Sequence, residues 1–210
     1  MMKLILVSAT NFEIEPTIQF LKALSSRKVF VEVCITGVGM VNTAFELGKL
    51  VDKKFDYAIN AGIAGSFGNI GIGEVVKVTE DCFCELGAEN KNQFLTIDEL
   101  GFGKQDVKLK QPFENNIIKN LIDAVGVTVN TVHGNERSIQ ILLERKKAHI
   151  ESMEGAAFMH VANAFNWNAL QLRSISNKVE NRNKEDWDMP LAIKNLNTVL
   201  INCINEINEQ

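Results

Sequence analysis

The sequence predicts an α/β fold, with a mostly parallel sheet covered by helices on both faces. Three observations predict it. Apolar runs of strand length alternate with amphipathic helical stretches along the whole 210-residue chain. The first run, residues 4–7 (Leu-Ile-Leu-Val), is apolar throughout, as in a strand buried on both faces. Glycine-rich turns stand beside several of these runs, where open α/β sheets place their ligands.

The elements follow in order. After the first strand, Pro16 can open a helix whose apolar side is Ile18, Phe20, Leu21 and Leu24. Residues 29–35 (VFVEVCI) alternate as a strand does, and Thr36-Gly37-Val38-Gly39 turns the chain into a helix over 40–51. Residues 57–60 form a short strand, followed by a small-residue loop over 61–66. Gly71-Ile72-Gly73 precedes a strand over 74–79. The polar stretch 81–111, with Gly101 and Gly103, is the least regular part and reads as an excursion. Helical patterns over 115–124, 139–147, 154–165 and 190–207 alternate with strand patterns over 125–132 and 169–175. No internal repeat and no linker-like composition interrupts the chain, so residues 1–210 are expected to form one domain.

Composition excludes several functions. With 46% hydrophobic and 23% charged residues the chain can fill a core, so disorder is not implied. A net charge of −4 gives no general electrostatic reason to bind nucleic acid or an anionic membrane surface. Lys108, Lys110, Lys146 and Lys147 read as solvated surface. The apolar run near Met1 is too brief for a signal peptide, and no segment approaches the roughly 18 apolar residues of a membrane span. Cys82-x-Cys84 lacks the spacing of a zinc knuckle and has no second pair, while Cys34 and Cys203 sit in apolar runs. A reducing cytoplasm is the expected setting, and no metal or organic cofactor is implied.

Three glycine turns flank strands: Gly37-x-Gly39, Gly62-x-x-Gly65 and Gly71-x-Gly73. Such turns let a ligand approach backbone amides. A dinucleotide fingerprint fails on detail. Gly37-x-Gly39-x-x-Asn42 lacks its third glycine, and the acid that should end the next strand, Asp56, begins it instead. Two further segments carry chemistry. Glu151-Ser152-Met153-Glu154-Gly155-Ala156 sets carboxylates at the head of an alanine-rich helix, where charge complementarity with the helix dipole would also favour acids. Arg173-Ser174-Ile175-Ser176-Asn177 ends a strand in polar groups that can face a cleft or cap a turn.

Taken in order, five segments resemble the nucleoside phosphorylase and nucleosidase superfamily. They are 9–16 (ATNFEIEP), 36–42 (TGVGMVN), 60–65 (NAGIAG), 152–156 (SMEGA) and 173–177 (RSISN). Within it they are most similar to the methylthioadenosine/S-adenosylhomocysteine nucleosidase branch. The run 176–182 (SNKVENR), with Trp187 and Pro190, resembles the neighbouring futalosine hydrolases. The resemblance covers nearly the whole chain and implies a single three-layer domain with a mixed central sheet flanked by helices.

It also implies roles. N-ribosidic cleavage builds positive charge on the sugar and negative charge on the base, so acids belong at the ribose and donors at the purine. Glu154 resembles the carboxylate that takes the ribose hydroxyls, with Met153 against the sugar and Ser152 and Gly39 beside it. Glu13 resembles the general base for water, with Glu15 as the alternative a one-residue slip would select. Ile63, Ala64 and Gly65 resemble the backbone beside the purine. The adenine-specific branch carries Asp where this chain has Asn177. An amide offers both a donor and an acceptor, so it fits a 6-oxopurine such as hypoxanthine, and Ser176 and Arg173 are expected to orient it.

Water is expected as the nucleophile. Phosphorolysis needs arginines around phosphate, and none of Arg27, Arg137, Arg145, Arg173 and Arg182 lies in the first acidic loop. Arg137 or Arg182 could instead pair with the benzoate of futalosine, and His133 reads either as a pocket residue or as an ordinary loop histidine. The resemblance thus implies a futalosine hydrolase acting in menaquinone biosynthesis, a small-molecule nucleoside substrate and a homodimer or larger homo-oligomer. A methylthioadenosine/S-adenosylhomocysteine-type nucleosidase or a purine nucleoside phosphorylase is the alternative.

Overall fold

A computed structural model describes residues 1–24 and 28–209; Arg27, one of the arginines weighed above, lies outside them. The chain begins with β1 (Met2–Ser8) and α1 (Asn11–Ala23), then β2 (Val29–Ile35), α2 (Met40–Gly48), β3 (Tyr57–Ser66) and β4 (Val75–Cys82). A hairpin of β5 (Gly87–Asn90) and β6 (Gln93–Thr96) precedes β7 (Asp106–Lys108), α3 (Asn116–Lys119) and β8 (Ile122–Thr128). The last third holds α4 (Glu136–Arg145), β9 (Ile150–Ser152), α5 (Gly155–Phe165), β10 (Asn168–Lys178), a 3₁₀ turn over Lys184–Asp186 and α6 (Met189–Glu209).

Among the described residues, eight strands form one mixed sheet. β3 pairs with β1 along residues 57–60 and with β9 along 65–66 of the same edge, while β10 runs along its other edge. Because β10 also pairs with β4, β4 with β8 and β8 with β9, the strands β3, β10, β4, β8 and β9 close a circuit. β1 and β2 extend from β3, and β7 hangs from β4. The sheet is buried on two faces, as the unbroken apolar run in β1 requires. Ile5 and Val7 enter a core with Phe158 and Met159 of α5 and Leu47 of α2, while Leu4 and Leu6 enter a second core with Ile14 of α1 and Leu196, Leu200 and Ile204 of α6. The three layers match the expected fold class.

Several elements differ from the sequence reading. The first helix starts at a capping box and not at Pro16: Thr10 Oγ1 accepts from Glu13 N, and Glu13 Oε2 accepts from Thr10 N, so Pro16 lies inside α1. The small-residue stretch 61–66 is no loop but the second half of β3, held by ladders to β10 and β9. Residues 122–124 leave the expected helix and open β8, because pairing with β4 and β9 outweighs local helical pattern; only Asn116–Lys119 remains helical. The excursion 81–111 contains the β5–β6 hairpin and β7. Lys146 is not solvated: its ammonium is held 2.7 Å from both Glu80 and Asp106, with the side chain 14% exposed.

Candidate active site

The carboxyl ends of β1, β3 and β10 converge with β9 and the start of α5 on a cavity of about 330 Å³. Its wall includes Ala9, Thr10 and Glu13 after β1, Ile63, Ala64 and Gly65 of β3, and Glu151, Ser152, Met153 and Glu154. Ser176 and Asn177 complete it, with Phe12, Val38, Val132, Trp187 and Met189 around them. Of the residues singled out from sequence, Glu13, Ile63, Ala64, Gly65, Ser152, Met153, Glu154, Ser176 and Asn177 therefore share one space. Gly39 reaches it through Glu154.

Glu13 is the third helical residue of α1, buried by the capping box that starts that helix. Its Oε2 accepts from Thr10 N, Thr10 Oγ1 and Ser8 Oγ at 3.1, 2.8 and 3.3 Å, and its Oε1 accepts from Ile63 N at 3.0 Å. Glu15, two residues on, is half-buried, pairs with Gln19 and stands outside the cavity wall. The cavity therefore takes the first of the two acids.

Glu154 occupies the N-cap position of α5, and its Oε1 accepts from Gly39 N at 2.9 Å. Gly39 itself caps α2 with φ at +99°, a backbone angle few L side chains tolerate; that conformation turns its amide across the cavity. Burial raises the Glu154 carboxyl above the usual carboxylate range, against the opposing pull of the Arg173 charge and the Gly39 N–H.

Arg173 is fully buried behind the wall. Its Nη2 donates to Asn60 Oδ1 at 2.6 Å and its Nη1 to Leu172 O at 3.1 Å, while Nε has no partner among the described residues. It does not orient Asn177, contrary to expectation, because it points away along β10 toward Asn60 of β3. Instead it approaches Glu13: a methyl placed on Gly62 would lie 2.8 Å from Glu13 Oε1 and 3.3 Å from Arg173 Nη1. The missing side chain at Gly62 lets an acid and a guanidinium converge on one point.

Asn177 is oriented by Ser176, whose Oγ donates to its Oδ1 at 2.7 Å, and its Nδ2 donates to Lys178 O at 2.8 Å. A register shift between Ile175 and Asn177 sets Asn177 opposite Gly65, where a glycine Cβ would meet the amide nitrogen at 3.2 Å. Of the amide's two hydrogens and two acceptor positions, one each is left for a ligand.

Arg137 is exposed at the start of α4 and is not brought to the cavity. Arg182 comes closer, stacking 5.1 Å from the centre of the Trp187 ring, which is part of the wall. Sequence reasoning missed Glu151 as a cavity residue, although it stands in the segment that held attention. It is 4% exposed and accepts from His133 N at 2.8 Å and faces His133 Nδ1. The signal that would have found it is β9, a three-residue strand too short for periodicity to reveal. Phe12, Val38 and Val132 were missed as well: Phe12 is an exposed residue in the first turn of α1 and the other two are exposed in loops, where apolar residues carry no pattern.

Behind the head of α5 lies a buried polar network. Asp81 Oδ1 accepts from Thr128 Oγ1 and Cys82 N at 2.9 and 2.8 Å, Oδ2 accepts from Gln171 Nε2 at 2.9 Å, and Thr128 Oγ1 accepts from Ala156 N at 2.8 Å. A side chain on Gly155 would strike Gln171 and Asp81, so glycine there lets Glu154 sit tight over this network.

Known proteins resemble this chain in sequence and in fold. A futalosine hydrolase of Acidothermus cellulolyticus is 28% identical over 79% of this chain and 71% of its own. A 5'-methylthioadenosine/S-adenosylhomocysteine nucleosidase of Maridesulfovibrio salexigens is 32% identical over 72% of this chain and 69% of its own. The solved structure of futalosine hydrolase from Helicobacter pylori superposes with a TM-score of 0.83 at 16% identity, over 98% of each chain. The family model of the phosphorylase superfamily matches residues 12–205. With that match running from α1 into α6, this chain belongs to the phosphorylase superfamily.

Proposed function

We propose that this chain is an N-ribosyl hydrolase that cleaves futalosine and releases hypoxanthine, a step of menaquinone biosynthesis. One observation carries the reading: Glu13, Glu154 and Asn177 line a single cavity, two acids and one amide for the two ends of an N-ribosidic bond. The futalosine hydrolases among its relatives support the same substrate.

In this scheme Glu154 accepts from the ribose hydroxyls and stabilises the cationic sugar as the bond opens. Glu13 takes a proton from water, and Arg173, converging with it beside Gly62, steadies the charges there. Thr10 and Ser8 occupy the other Glu13 oxygen, so Oε1 is the oxygen that meets water. The negative charge that leaves with the base is met by the free hydrogen of the Asn177 amide. Asn177 cannot supply a proton as an acid, so N7 is protonated through water or the base departs under hydrogen bonding alone.

Water is favoured over phosphate because, among the described residues, no arginine or lysine lines the cavity wall. Arg182, held by Trp187 at the cavity, is the better partner for the benzoate than Arg137. The four cysteines are unpaired, in keeping with a reducing cytoplasm. Among the described residues no helix is long and apolar enough to cross a membrane. Phe12, Val38, Val41 and Phe45 are exposed, and the first two also line the cavity, which suits a homodimer formed as one catalytic domain against its copy at that mouth.

A methylthioadenosine-type activity is the second reading, favoured by the 32% identical relative. One assay separates them: base release from futalosine, methylthioadenosine and inosine, with and without phosphate. Hypoxanthine from futalosine without phosphate is the expected result. Ribose-1-phosphate formed only with phosphate, or adenine release alone, would refute it.

A further inference from the structure

The head of α5 is capped from outside the helix, and the side chain at its N-cap position is left free. Glu154 takes that position: its carbonyl accepts from Phe158 N at 3.0 Å, the first bond inside the helix. The side chain of an N-cap residue ordinarily turns back and accepts from the N–H two or three residues on. That of Glu154 makes no such bond and accepts from Gly39 N instead. The N–H two residues on belongs to Ala156, which is fully buried, and a buried N–H without an acceptor is costly. Thr128 supplies the acceptor: its Oγ1 takes the Ala156 N–H at 2.8 Å.

Strand register brings Thr128 there. It is the last residue of β8 and pairs with Ser152 of β9, two residues before Glu154. A threonine hydroxyl has one hydrogen and rotates, so it is a dependable acceptor only when that hydrogen is committed elsewhere. Asp81 commits it: its Oδ1 accepts from Thr128 Oγ1 at 2.9 Å, and Cys82 N and Gln171 Nε2 hold the carboxylate in turn. Two glycines leave the room that Asp81 fills. A Cβ on Gly126 would lie 2.9 Å from Asp81 Oδ2, and one on Gly155 would lie 2.2 Å from it. Asp81, Thr128 and Ala156 are all fully buried, which keeps bulk water from competing for these bonds.

We propose that Thr128 is a positioning residue for the reaction: by capping α5 from β8, with its hydroxyl set by Asp81, it releases the Glu154 carboxylate to the cavity. Without that hydroxyl, the Glu154 side chain turns back onto its own helix, satisfies the Ala156 N–H and leaves Gly39. The inference rests on the ribose role given to Glu154 above and names what keeps that carboxylate in place.

The Gly39 amide reports the contact directly and needs no turnover. Followed by NMR of the nitrogen-15-labelled protein, its signal should move with pH as Glu154 titrates, and should lose that response in Glu154→Gln. Thr128→Val keeps the shape of the side chain without the hydroxyl, and the response should be lost there too. Thr128→Ser returns the hydroxyl and should return the response. Futalosine turnover is the second readout. Thr128→Val should lower kcat about tenfold or more when Glu154 is present, as misplacement of a reacting group does. Added to Glu154→Gln it should cost less than about a factor of two, because the carboxylate it positions is already gone. A folded Thr128→Val with the wild-type Gly39 response, a Thr128→Ser that fails to restore it, or an equal loss of kcat in both backgrounds would overturn the proposal. If Thr128→Val does not fold, Thr128→Cys, whose sulfur is a weak acceptor, takes its place with the same outcomes. A wild-type protein that releases no hypoxanthine, while Gly39 responds as expected in every variant, would reject the hydrolase reading and leave Thr128 as the group that holds Glu154 at the cavity.

Discussion

Glu154 Oε1 accepts a hydrogen bond from the backbone N–H of Gly39 at 2.9 Å, across 115 residues of sequence. The bond ties the head of α5 to the turn before α2 and holds a carboxylate at the cavity wall.

Burial holds the Glu154 carboxyl above its ordinary value of 4.5, with Arg173 and the Gly39 amide pulling it back. The proposed role needs the ionised form. Activity should therefore be full above the raised pKa and fall with acid through it, so the acid limb of kcat/KM should lie above pH 4.5. Glu154→Gln should lose about a hundredfold or more in kcat, by analogy with removal of other charge-stabilising groups, and lose that limb. A pH–rate profile of both proteins checks this; a near-normal rate for the variant would remove Glu154 from the mechanism.

The two acids of the first loop should separate cleanly. Glu13→Gln keeps much of the hydrogen-bonding shape but cannot take a proton, and kcat should drop about a hundredfold or more. Glu15→Gln, altered outside the cavity, should retain activity within a factor of about two. Steady-state rates decide, and the reverse ranking would reassign the base.

Gly62→Ala would place a methyl 2.8 Å from Glu13 Oε1 and 3.3 Å from Arg173 Nη1. Glu13 is held by four donors and Arg173 is buried, so neither can withdraw freely. Turnover should fall at least about tenfold from a displacement of this size near the reacting atoms, while hypoxanthine binding holds. Kinetics beside base-binding calorimetry measures the split.

Asn177→Asp replaces the donor that faces O6 with an acceptor. The ratio of kcat/KM for a 6-oxo nucleoside to that for its 6-amino analogue should fall by about tenfold or more. Competition between the two nucleosides in one reaction measures it, and unchanged selectivity would strip Asn177 of its reading role.

Gly155→Ala should destabilise the fold. Its methyl would approach Gln171 Nε2 at 2.1 Å and Asp81 Oδ2 at 2.2 Å, both fully buried. Overpacking costs about 1–3 kcal/mol, whereas the gain from replacing a helical glycine is at most about 1 kcal/mol. Urea denaturation should show a net loss, and a stabilised variant would contradict the packing described for the head of α5.

How much of this was legible in the sequence can be followed through particular residues. Leu4, Ile5, Leu6 and Val7 announced a strand buried twice over, and the two cores receive them alternately. Glu154 and Asn177 stood out by residue type beside strand ends, Glu13 through the family resemblance, and the three share the cavity. Pro16 misled, because a capping box of Thr10 and Glu13 had already begun the helix.

The sequence by itself determined the alternation of elements, the two-sided burial of the first strand and the chemical kinds of group available to a site. Those depend on periodicity and composition within a few residues of each position. Tertiary structure alone decided that 61–66 continues a strand, that 122–124 opens one, that Arg173 turns to Asn60 rather than Asn177, and that Glu151 and Asn177 flank Gly65. These outcomes belong to pairing between strands far apart in the chain. A local pattern of apolar and polar residues carries no record of which distant backbone will supply the partner for each N–H and C=O.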